Sequence, residues 1–523
     1  MRSKPRMSWI KSIAKRLLVV IAVLAGYRAF PEPIVQYHCA GGTQLSGNIK
    51  LAALNKVLGL QSTVSMENMA LAKFAKLLTN DFSLATGTSS CALIEPLLKD
   101  IAEQESMGSF ATISSNGLSF FLVLHLEASR IQLWKETFGK LFPANPKAVS
   151  RNGFSGQAWA AGASSLWMFS ARDWLLVGCG DGFSNAQSDC LTQIASQGRP
   201  APTLEENHWL EADLLSTNLG GWFRFLKPAK IHIDASPDQN NFKIEAQIHW
   251  NETIPWAPKA WRVPKELIHG QIISFTAGQD VAAFLNMNRG LSNLSGNPLT
   301  NQFCCWALDQ MPLLSYMAWP EADASNTLER LSTEAPAALN SLLKRFNGAE
   351  LAWHADARKL VLQNIRLFGP ALQVVQTNNS QFLFLSTFPM ASVPPPISDA
   401  LLNQVQGRTN LVYYDWERTG RRVGGLQILN PMIANRSMGT NSESVSDLAV
   451  ENQWIGSLAG LDGNTVTEIT RYVPSELLVK RTAPLGFTAV ELVLLADWIS
   501  GGYTGPIHSS TPSASSSPLP FPR

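Results

Sequence analysis

The sequence contains little charge and, beyond its N-terminal segment, no long hydrophobic run. Asp, Glu, Lys and Arg make up 16% of its 523 residues, whereas about a quarter is usual for a soluble domain. No internal stretch approaches the roughly 18 consecutive apolar residues of a transmembrane helix. With 45% hydrophobic residues, the chain is long enough to bury two or three cores. We therefore expect the bulk of the chain to be a soluble folded body.

The sequence also lacks the short motifs that identify common catalytic, nucleotide and metal sites. It has no G-x-S-x-G, H-E-x-x-H, G-x-x-x-x-G-K-[ST] or EF-hand pattern, and none of its six cysteines belongs to a C-x-x-C pair. Its net charge is only +2, and because six of the 42 Lys and Arg residues precede residue 17, the remainder is mildly acidic. A nucleic-acid partner is therefore not expected. The sequence predicts no cofactor and leaves the catalytic residues unknown.

The N-terminal segment has the pattern of an export signal. Six cations precede an apolar run from Leu17 to Tyr27, and a basic leader before roughly 7–15 apolar residues is typical of a signal peptide. Small residues permit cleavage after Ala25. Alternatively, residues 9–27 stay uncleaved as the only membrane contact, or the match is fortuitous and the chain is cytosolic. We expect an exported bacterial-type protein, either periplasmic or extracellular, or anchored to the inner membrane through residues 1–27.

Hairpins alternate with helices along the chain, which predicts an α+β fold of mainly antiparallel sheet with packed helices. Three prolines between residues 255 and 264 predict a linker in this stretch. The linker would separate a first α+β domain at 28–254 from a second at 265–500. The Ser- and Pro-rich residues 501–523 are typical of a disordered tail.

The two predicted domains have a similar order of elements. A hairpin, a helix, a short strand and a second hairpin follow one another within 166–250 and again within 372–482, where the helix is predicted at 397–405. Asp213 and Asp415 occupy corresponding places, and we expect each to end its strand and cap the following helix. Because residue identity between the halves is low, the sequence leaves open whether they are a structural duplication.

The even number of cysteines permits disulfides in an oxidising compartment. Cys179 closes a predicted strand and Cys190 lies in the next predicted helix, so a short bridge is predicted there. A bond between Cys39 and Cys91 would fix the N-terminal segment. The adjacent cysteines at 304–305 point to opposite faces if they lie on a strand, so we expect two free thiols.

The predicted hairpin at 229–250 allows strand pairing to be argued residue by residue. A two-residue turn at 240–241 places His232 opposite His249 on a polar face that also carries Asp234. These side chains could bind a metal, since the Cβ atoms of opposed residues lie about 4.5–5.5 Å apart. Because no further ligand has a characteristic spacing, we interpret the face as a solvated sheet surface without a metal.

The absence of catalytic motifs favours a non-enzymatic envelope protein, either a scaffold or a binding protein. Its partner would be another envelope protein or a cell-surface polymer. The alternative is a cell-envelope hydrolase with an active site that no motif reveals. In that case Asp213, Asp415, His232 and His249 are the first residues to test. An enzyme of this kind should have one deep pocket with convergent polar groups and shifted pKa values.

Overall fold

The computed structural model describes most of the chain between residues 33 and 500. The segments predicted as signal or anchor (1–27) and as tail (501–523), and residues 255–258 of the predicted linker, lie outside the described residues. The described ranges are 33–46, 48–81, 88–114, 117–142, 146–161, 164–180, 184–200, 204–205, 207–215, 229–254, 259–280, 301–309, 315–344, 348–364, 369–378, 380–387, 399–427 and 442–500.

The described chain consists of twenty strands and eleven α-helices. The strands are β1 Pro33–Cys39, β2 Ser106–Ser114, β3 Gly117–His125, β4 Lys147–Arg151, β5 Phe154–Ala161, β6 Ser164–Ala171, β7 Trp174–Cys179, β8 Leu210–Leu215, β9 Lys230–Asp238, β10 Asn241–His249, β11 Ile272–Gln279, β12 Gln302–Leu308, β13 Ser315–Glu321, β14 Glu350–His354, β15 Lys359–Gln363, β16 Ala371–Gln376, β17 Gln381–Ser386, β18 Leu411–Arg418, β19 Asn464–Val473 and β20 Glu476–Ala483. The helices are α1 Gly42–Ser46, α2 Ala52–Leu58, α3 Gln61–Asp81, α4 Thr88–Glu103, α5 Ala128–Leu141, α6 Ser184–Gln197, α7 Ala324–Leu343, α8 Asp399–Leu402, α9 Thr419–Gln427, α10 Ser442–Leu458 and α11 Ala489–Ser500. The predicted α+β class is confirmed, although the helix predicted at 397–405 ends at Leu402.

All twenty strands belong to one antiparallel sheet. Their spatial order is β4-β5-β6-β7-β3-β2-β1-β8-β9-β10-β20-β19-β18-β11-β12-β13-β17-β16-β15-β14. From one end of the sheet the first ten strands run from β4 to β10, and from the other end the remaining ten run from β14 to β20. The two orders are the same when ten is added to each strand number of the first half. The two halves meet where β10 pairs with β20, with Phe242 opposite Ala483. The strands of both predicted domains therefore share a single sheet.

Side-chain alternation gives the sheet two different faces. On the first, which we call face 1, a large core forms beneath helices α1–α5 and α9–α11, with fully buried residues such as Leu51 and Trp454. This core contains residues of both predicted domains, and the hydroxyls of Ser62 and Ser457 are 2.9 Å apart within it. Helix α7 packs on the same face through Leu328. Burial on face 1 thus joins the two halves.

The opposite face, face 2, is covered only near its two ends in the described chain. Helix α6 buries Leu191 against Trp167 and Leu176 at one end. At the other end, Leu402 of α8 and Val405 pack over an aromatic cluster that contains Trp306. The centre of face 2, between these clusters, carries polar side chains.

The register of the β9–β10 hairpin differs from the predicted register by two residues. Its turn residues are Gln239 and Asn240, whose φ angles are 41° and 71°, as a tight hairpin turn requires. His232 therefore lies opposite Gln247, and Asp234 lies opposite Glu245. A shift of two residues leaves every side chain on its predicted face, so hydrophobic alternation could not distinguish the two registers.

The described part of the predicted linker has no helix or strand and packs on the second half of the chain. Trp261 Nε1 donates a hydrogen bond to the Arg408 carbonyl at 3.1 Å, and the Arg262 amide donates to Gln302 Oε1 at 3.0 Å. No helix in the described part of the chain is long and apolar enough to cross a bilayer.

Candidate functional site

A row of polar side chains crosses the centre of face 2. Successive members are direct cross-strand partners, so the row continues over six adjacent strands, from β1 across the β10–β20 junction to β19. At about 4.8 Å per strand it is about 24 Å long. We call it the central polar row, and its members are His38, Glu211, Asp234, Glu245, Lys480 and Glu468.

His232 bridges two carboxylates beside this row. Its Nδ1 lies 2.8 Å from Asp213 Oδ1, and its Nε2 lies 3.2 Å from Asp234 Oδ2. Lys230 Nζ is also 3.0 Å from Asp213 Oδ1. Although partial burial would raise it, the hydrogen bonds from His232 and Lys230 hold the pKa of Asp213 below its usual value. Both imidazole nitrogens of His232 are thus engaged.

A second histidine extends the network. His208 precedes β8, and its Nδ1 lies 3.0 Å from Glu211 Oε1 and 3.9 Å from Asp234 Oδ1. One potential ligand atom from each of these three residues lies within 4.8 Å of the others. Burial raises the pKa of Asp234, and the nearby Glu211 carboxylate adds to this effect. Among the residues that the structure describes, these three, which we call the His208 cluster, are the group that could hold a metal.

A cleft of about 490 Å³ opens beside the His208 cluster. Its lining includes His208, Glu205 and Trp209 together with Glu105 and Arg199. Glu105 Oε1 is 3.0 Å from Nε2 of the buried His38, which is a member of the central polar row. The cleft and the row are therefore continuous.

The structure divides the residues that were predicted as metal or catalytic candidates. His232 and Asp234 lie on the same face of the sheet and are in contact. His249 is exposed and lies opposite Lys230, because the register is shifted, so it is not the cross-strand partner of His232. Asp415 lies on the other face of the sheet.

The expectation that Asp213 and Asp415 end their strands is wrong, and so is the expectation that Asp415 caps a helix; the helix expected after Asp213 falls outside the described residues. Asp213 is inside β8 and Asp415 is inside β18. Asp415 Oδ1 instead accepts a hydrogen bond from Thr276 Oγ1 at 2.6 Å. Helix α9 begins only at Thr419, whose hydroxyl lies 2.7 Å from Thr465 Oγ1. The two aspartates nevertheless lie on strands with equivalent places in the sheet order.

A partly buried charged cluster lies on face 1 beneath α9 and α11. Arg481 of β20 donates two hydrogen bonds to the carboxylate of Glu491, at 2.8 and 3.0 Å. Thr488 and Glu491 form a capping box at the start of α11, where the Thr488 amide donates to Glu491 Oε2 at 2.8 Å. Burial raises the pKa of Asp415. Arg422 NH1 is buried and has no hydrogen-bond partner among the described residues.

Glu417 has the largest carboxyl shift in this cluster. Burial raises its pKa to about 7, against the opposing effect of the hydrogen bond that the Ala489 amide donates to its Oε1 at 2.6 Å. The Asp415 carboxylate raises it further. Only 4% of Glu417 is exposed, so this acid is almost completely shielded from solvent.

The features of an enzyme site are consequently separated in space. The carboxyl with the strongly raised pKa is covered on face 1, whereas His208 and His232 contact carboxylates of face 2. The cleft beside His208 is also lined by Leu45 and Trp209 of the face 1 core. On face 2 His232 has no free nitrogen to act as a general base. Neither the cleft at His208 nor a second one of about 590 Å³, which Glu67 and Arg130 line, includes Glu417.

All six cysteines are free thiols in the structure. Cys179 belongs to the core on face 1 and Cys190 to the α6 cluster on face 2, so the sheet itself separates this predicted pair. Cys39 accepts a hydrogen bond from the Gly41 amide at 3.4 Å. Cys91 lies 3.7 Å from Thr79 Oγ1. The thiols of the predicted Cys39–Cys91 pair therefore have other neighbours.

Sequence reasoning did not single out His208, Glu211, Glu417 or Arg481. The H-x-x-E spacing of His208 and Glu211 is not by itself a recognised motif for a functional site. Asp234 joins these two residues only through the β8–β9 pairing. The T-x-x-E pattern of the α11 capping box was a recognisable signal. Comparison of the chain with protein-family models, curated proteins and solved structures gives no match.

Proposed function

We propose that this chain is an exported or membrane-anchored envelope protein that acts by binding another protein or a cell-surface polymer, and not by catalysis. The observation that carries this proposal is the central polar row. Its side chains carry both signs of charge and, apart from His38, are half-buried or exposed. A row about 24 Å long is better suited to an extended partner than to a small substrate.

The separation of chemical groups supports binding over hydrolysis. A hydrolase would need an accessible acid or base, but Glu417 is buried on face 1 and both nitrogens of His232 contact carboxylates. Asp415 lies on face 1 and is not among the residues that line the cleft.

A charge reversal on the row tests the binding proposal. The chain lacking residues 1–27 is incubated with isolated cell-wall polymer and, separately, with solubilised envelope proteins, and retention is measured. Lys480→Glu should lower retention, whereas Arg358→Glu, at an exposed ion pair with Glu329 on α7, should not. Equal retention of both variants would contradict the proposal. Polymer hydrolysis that is lost in His232→Gln would favour the enzyme.

The export proposal is supported by the N-terminal sequence pattern and is tested separately. Residues 1–30 fused to a reporter that is active only outside the cytoplasm should give activity. The mature chain should begin at Gly26 if the segment is cleaved. Intact chain found free in the cytosol would contradict both the signal and the anchor.

The halves of the sheet, within 28–254 and 265–500, are also proposed to be copies of one structural unit. The identical pairing order of β1–β10 and β11–β20 supports this duplication. An experimental structure in which the two sets of ten strands do not superpose would contradict it.

A further inference from the structure

The geometry points to a binding site for a divalent transition-metal ion of the Zn²⁺ class at His208, Glu211 and Asp234. This inference does not depend on the proposed binding function. It rests on the types of ligand, on their separations, on the groups that surround them and on the access route.

The ligand set contains one imidazole and two carboxylates. Imidazole nitrogen is a ligand for Zn²⁺, Cu²⁺, Ni²⁺ and Fe²⁺, whereas Mg²⁺ and Ca²⁺ prefer sites made of oxygen alone. Three protein ligands leave a fourth tetrahedral position for water or for an anionic group of a partner. The set is thus a chelating group of mixed chemistry and not simply a cluster of acids.

The separations fit a first coordination shell. Bonds of about 2.0–2.2 Å from Zn²⁺ to nitrogen and oxygen place tetrahedral ligand atoms about 3.4 Å apart. His208 Nδ1 lies 3.0 Å from Glu211 Oε1 and 3.9 Å from Asp234 Oδ1. All three atoms lie within 4.8 Å of one another, so shifts of less than about 1 Å in these side chains would bring them to a common ion.

The backbone holds the three residues in place before any ion binds. Glu211 and Asp234 are direct cross-strand partners in β8 and β9. The His208 amide donates a hydrogen bond to the Glu205 carbonyl at 3.0 Å. The next residue, Trp209, is 3% exposed and its Nε1 donates to the Gly41 carbonyl at 3.0 Å. Little conformational entropy would therefore be lost on binding.

Further polar groups lie around the three ligands. His232 Nε2, 3.2 Å from Asp234 Oδ2, can donate to the oxygen that does not face His208. The Glu205 amide donates to Glu211 Oε1 at 3.0 Å. Glu205 Oε2 is 4.0 Å from His208 Nε2, on the side of the ring away from the ion. Such contacts orient metal ligands in known sites.

Carboxylates outnumber lysine and arginine side chains around the cluster, which favours the binding of a cation. Four carboxylates contact the two histidines, whereas Lys230 is the one lysine or arginine paired with any of them among the described residues. These carboxylates belong to Glu205, Glu211, Asp213 and Asp234. A bound divalent ion would reduce the repulsion between them.

An entry route is also present, because His208 and Glu205 line the cleft of about 490 Å³. About a quarter of each ligand side chain is exposed. An ion from solvent would therefore reach the three ligands without any opening of the fold.

The test is calorimetric titration of the chelator-treated chain, produced without a polyhistidine tag, with Zn²⁺, and in parallel with Mg²⁺ and Ca²⁺. One Zn²⁺ ion should bind per chain. His208→Ala and Asp234→Asn should abolish this binding, and His232→Gln should weaken it about 10- to 100-fold. His249→Ala, which removes an exposed histidine of the same face, is the matched control and should bind as the parent does. Titration with Co²⁺ should give a visible absorption spectrum that is lost in Glu211→Gln.

Circular dichroism separates loss of the site from loss of the fold, and Asp234→Asn and Glu211→Gln change little in volume. The inference is overturned if the parent chain binds no Zn²⁺, or if the folded His208→Ala variant binds it as the parent does. Preferential binding of Mg²⁺ or Ca²⁺ at these residues would also overturn it.

Discussion

Glu245 of β10 and Lys480 of β20 lie opposite each other at the junction of the two halves of the sheet, with 3.4 Å between Oε1 and Nζ. Because both side chains are partly exposed, such a pair contributes only about 0.2–1 kcal/mol. On the other face of the same strands, Phe242 is 1% exposed and packs edge-to-face on Trp209 at 5.5 Å. The junction therefore depends on burial on face 1 more than on charge pairing on face 2.

Phe242→Ala should lower the free energy of unfolding by about 3–5 kcal/mol, because it opens a cavity in a core that both halves share. Urea unfolding followed by tryptophan fluorescence measures this. Tyr472→Ala, which truncates a ring that is 72% exposed, should change it by less than about 0.5 kcal/mol. Two separate transitions, with only one affected by Phe242→Ala, would show that the halves unfold independently.

Glu417 should make the protein less stable as pH rises. Its folded pKa of about 7 exceeds the ordinary value of 4.5, so the native state binds the proton more tightly than the unfolded state. Its contribution is complete below pH 4.5 and is lost as pH rises through 7, which amounts to about 3 kcal/mol. Glu417→Gln keeps an acceptor for the Ala489 amide and should remove this decline, as urea unfolding between pH 5 and 8 would reveal.

The matched control for that titration is Glu468→Gln. Two hydrogen bonds from Arg408, at 2.7 and 2.8 Å, hold the pKa of Glu468 below its usual value. This carboxylate therefore stabilises the fold above its unfolded pKa and loses that contribution as pH falls. If both variants change the pH dependence in the same direction, the burial argument for Glu417 is wrong.

Gly178→Ala should destabilise the sheet by about 1–3 kcal/mol through overpacking. Gly178 lies directly opposite Trp167, and an added Cβ would overlap the indole ring. The same relation holds for three other strand glycines, at Gly108 with Tyr37, Gly156 with Phe169 and Gly278 with Phe303. The substitution at Gly139 in α5, where an added Cβ meets nothing within 4 Å, should instead stabilise the helix by about 0.5–1 kcal/mol. In thermal unfolding, Gly178→Ala should therefore lower the melting temperature and Gly139→Ala should raise it.

The buried thiols should resist alkylation in the native protein. Burial raises the pKa of Cys39 and of Cys190 to about 12 each, and the thiolate is the reactive form. Mass spectrometry after treatment with iodoacetamide should find these two residues unmodified until the protein is denatured. Protein recovered from an oxidising compartment should contain no peptide in which Cys179 is linked to Cys190, and detection of that peptide would contradict their placement on opposite faces of the sheet.

The sequence determined the local elements and the faces of their side chains. Hydrophobic alternation was enough to predict that His232 and Asp234 share one face, and the hairpins predicted within 166–250 and 372–482 include β6–β7, β9–β10, β16–β17 and β19–β20. The same reasoning could not choose between two registers of β9 and β10, because they differ by two residues and leave the alternation unchanged.

Only the tertiary structure decided which elements meet. The sequence divided the chain at 255–264, yet the pairing of β10 with β20 joins distant strands into one sheet. His208 and Asp234 come together only through the β8–β9 pairing, and Glu417 meets the start of α11 only through packing on face 1. Such contacts depend on long-range burial, for which periodicity over a few residues contains no information.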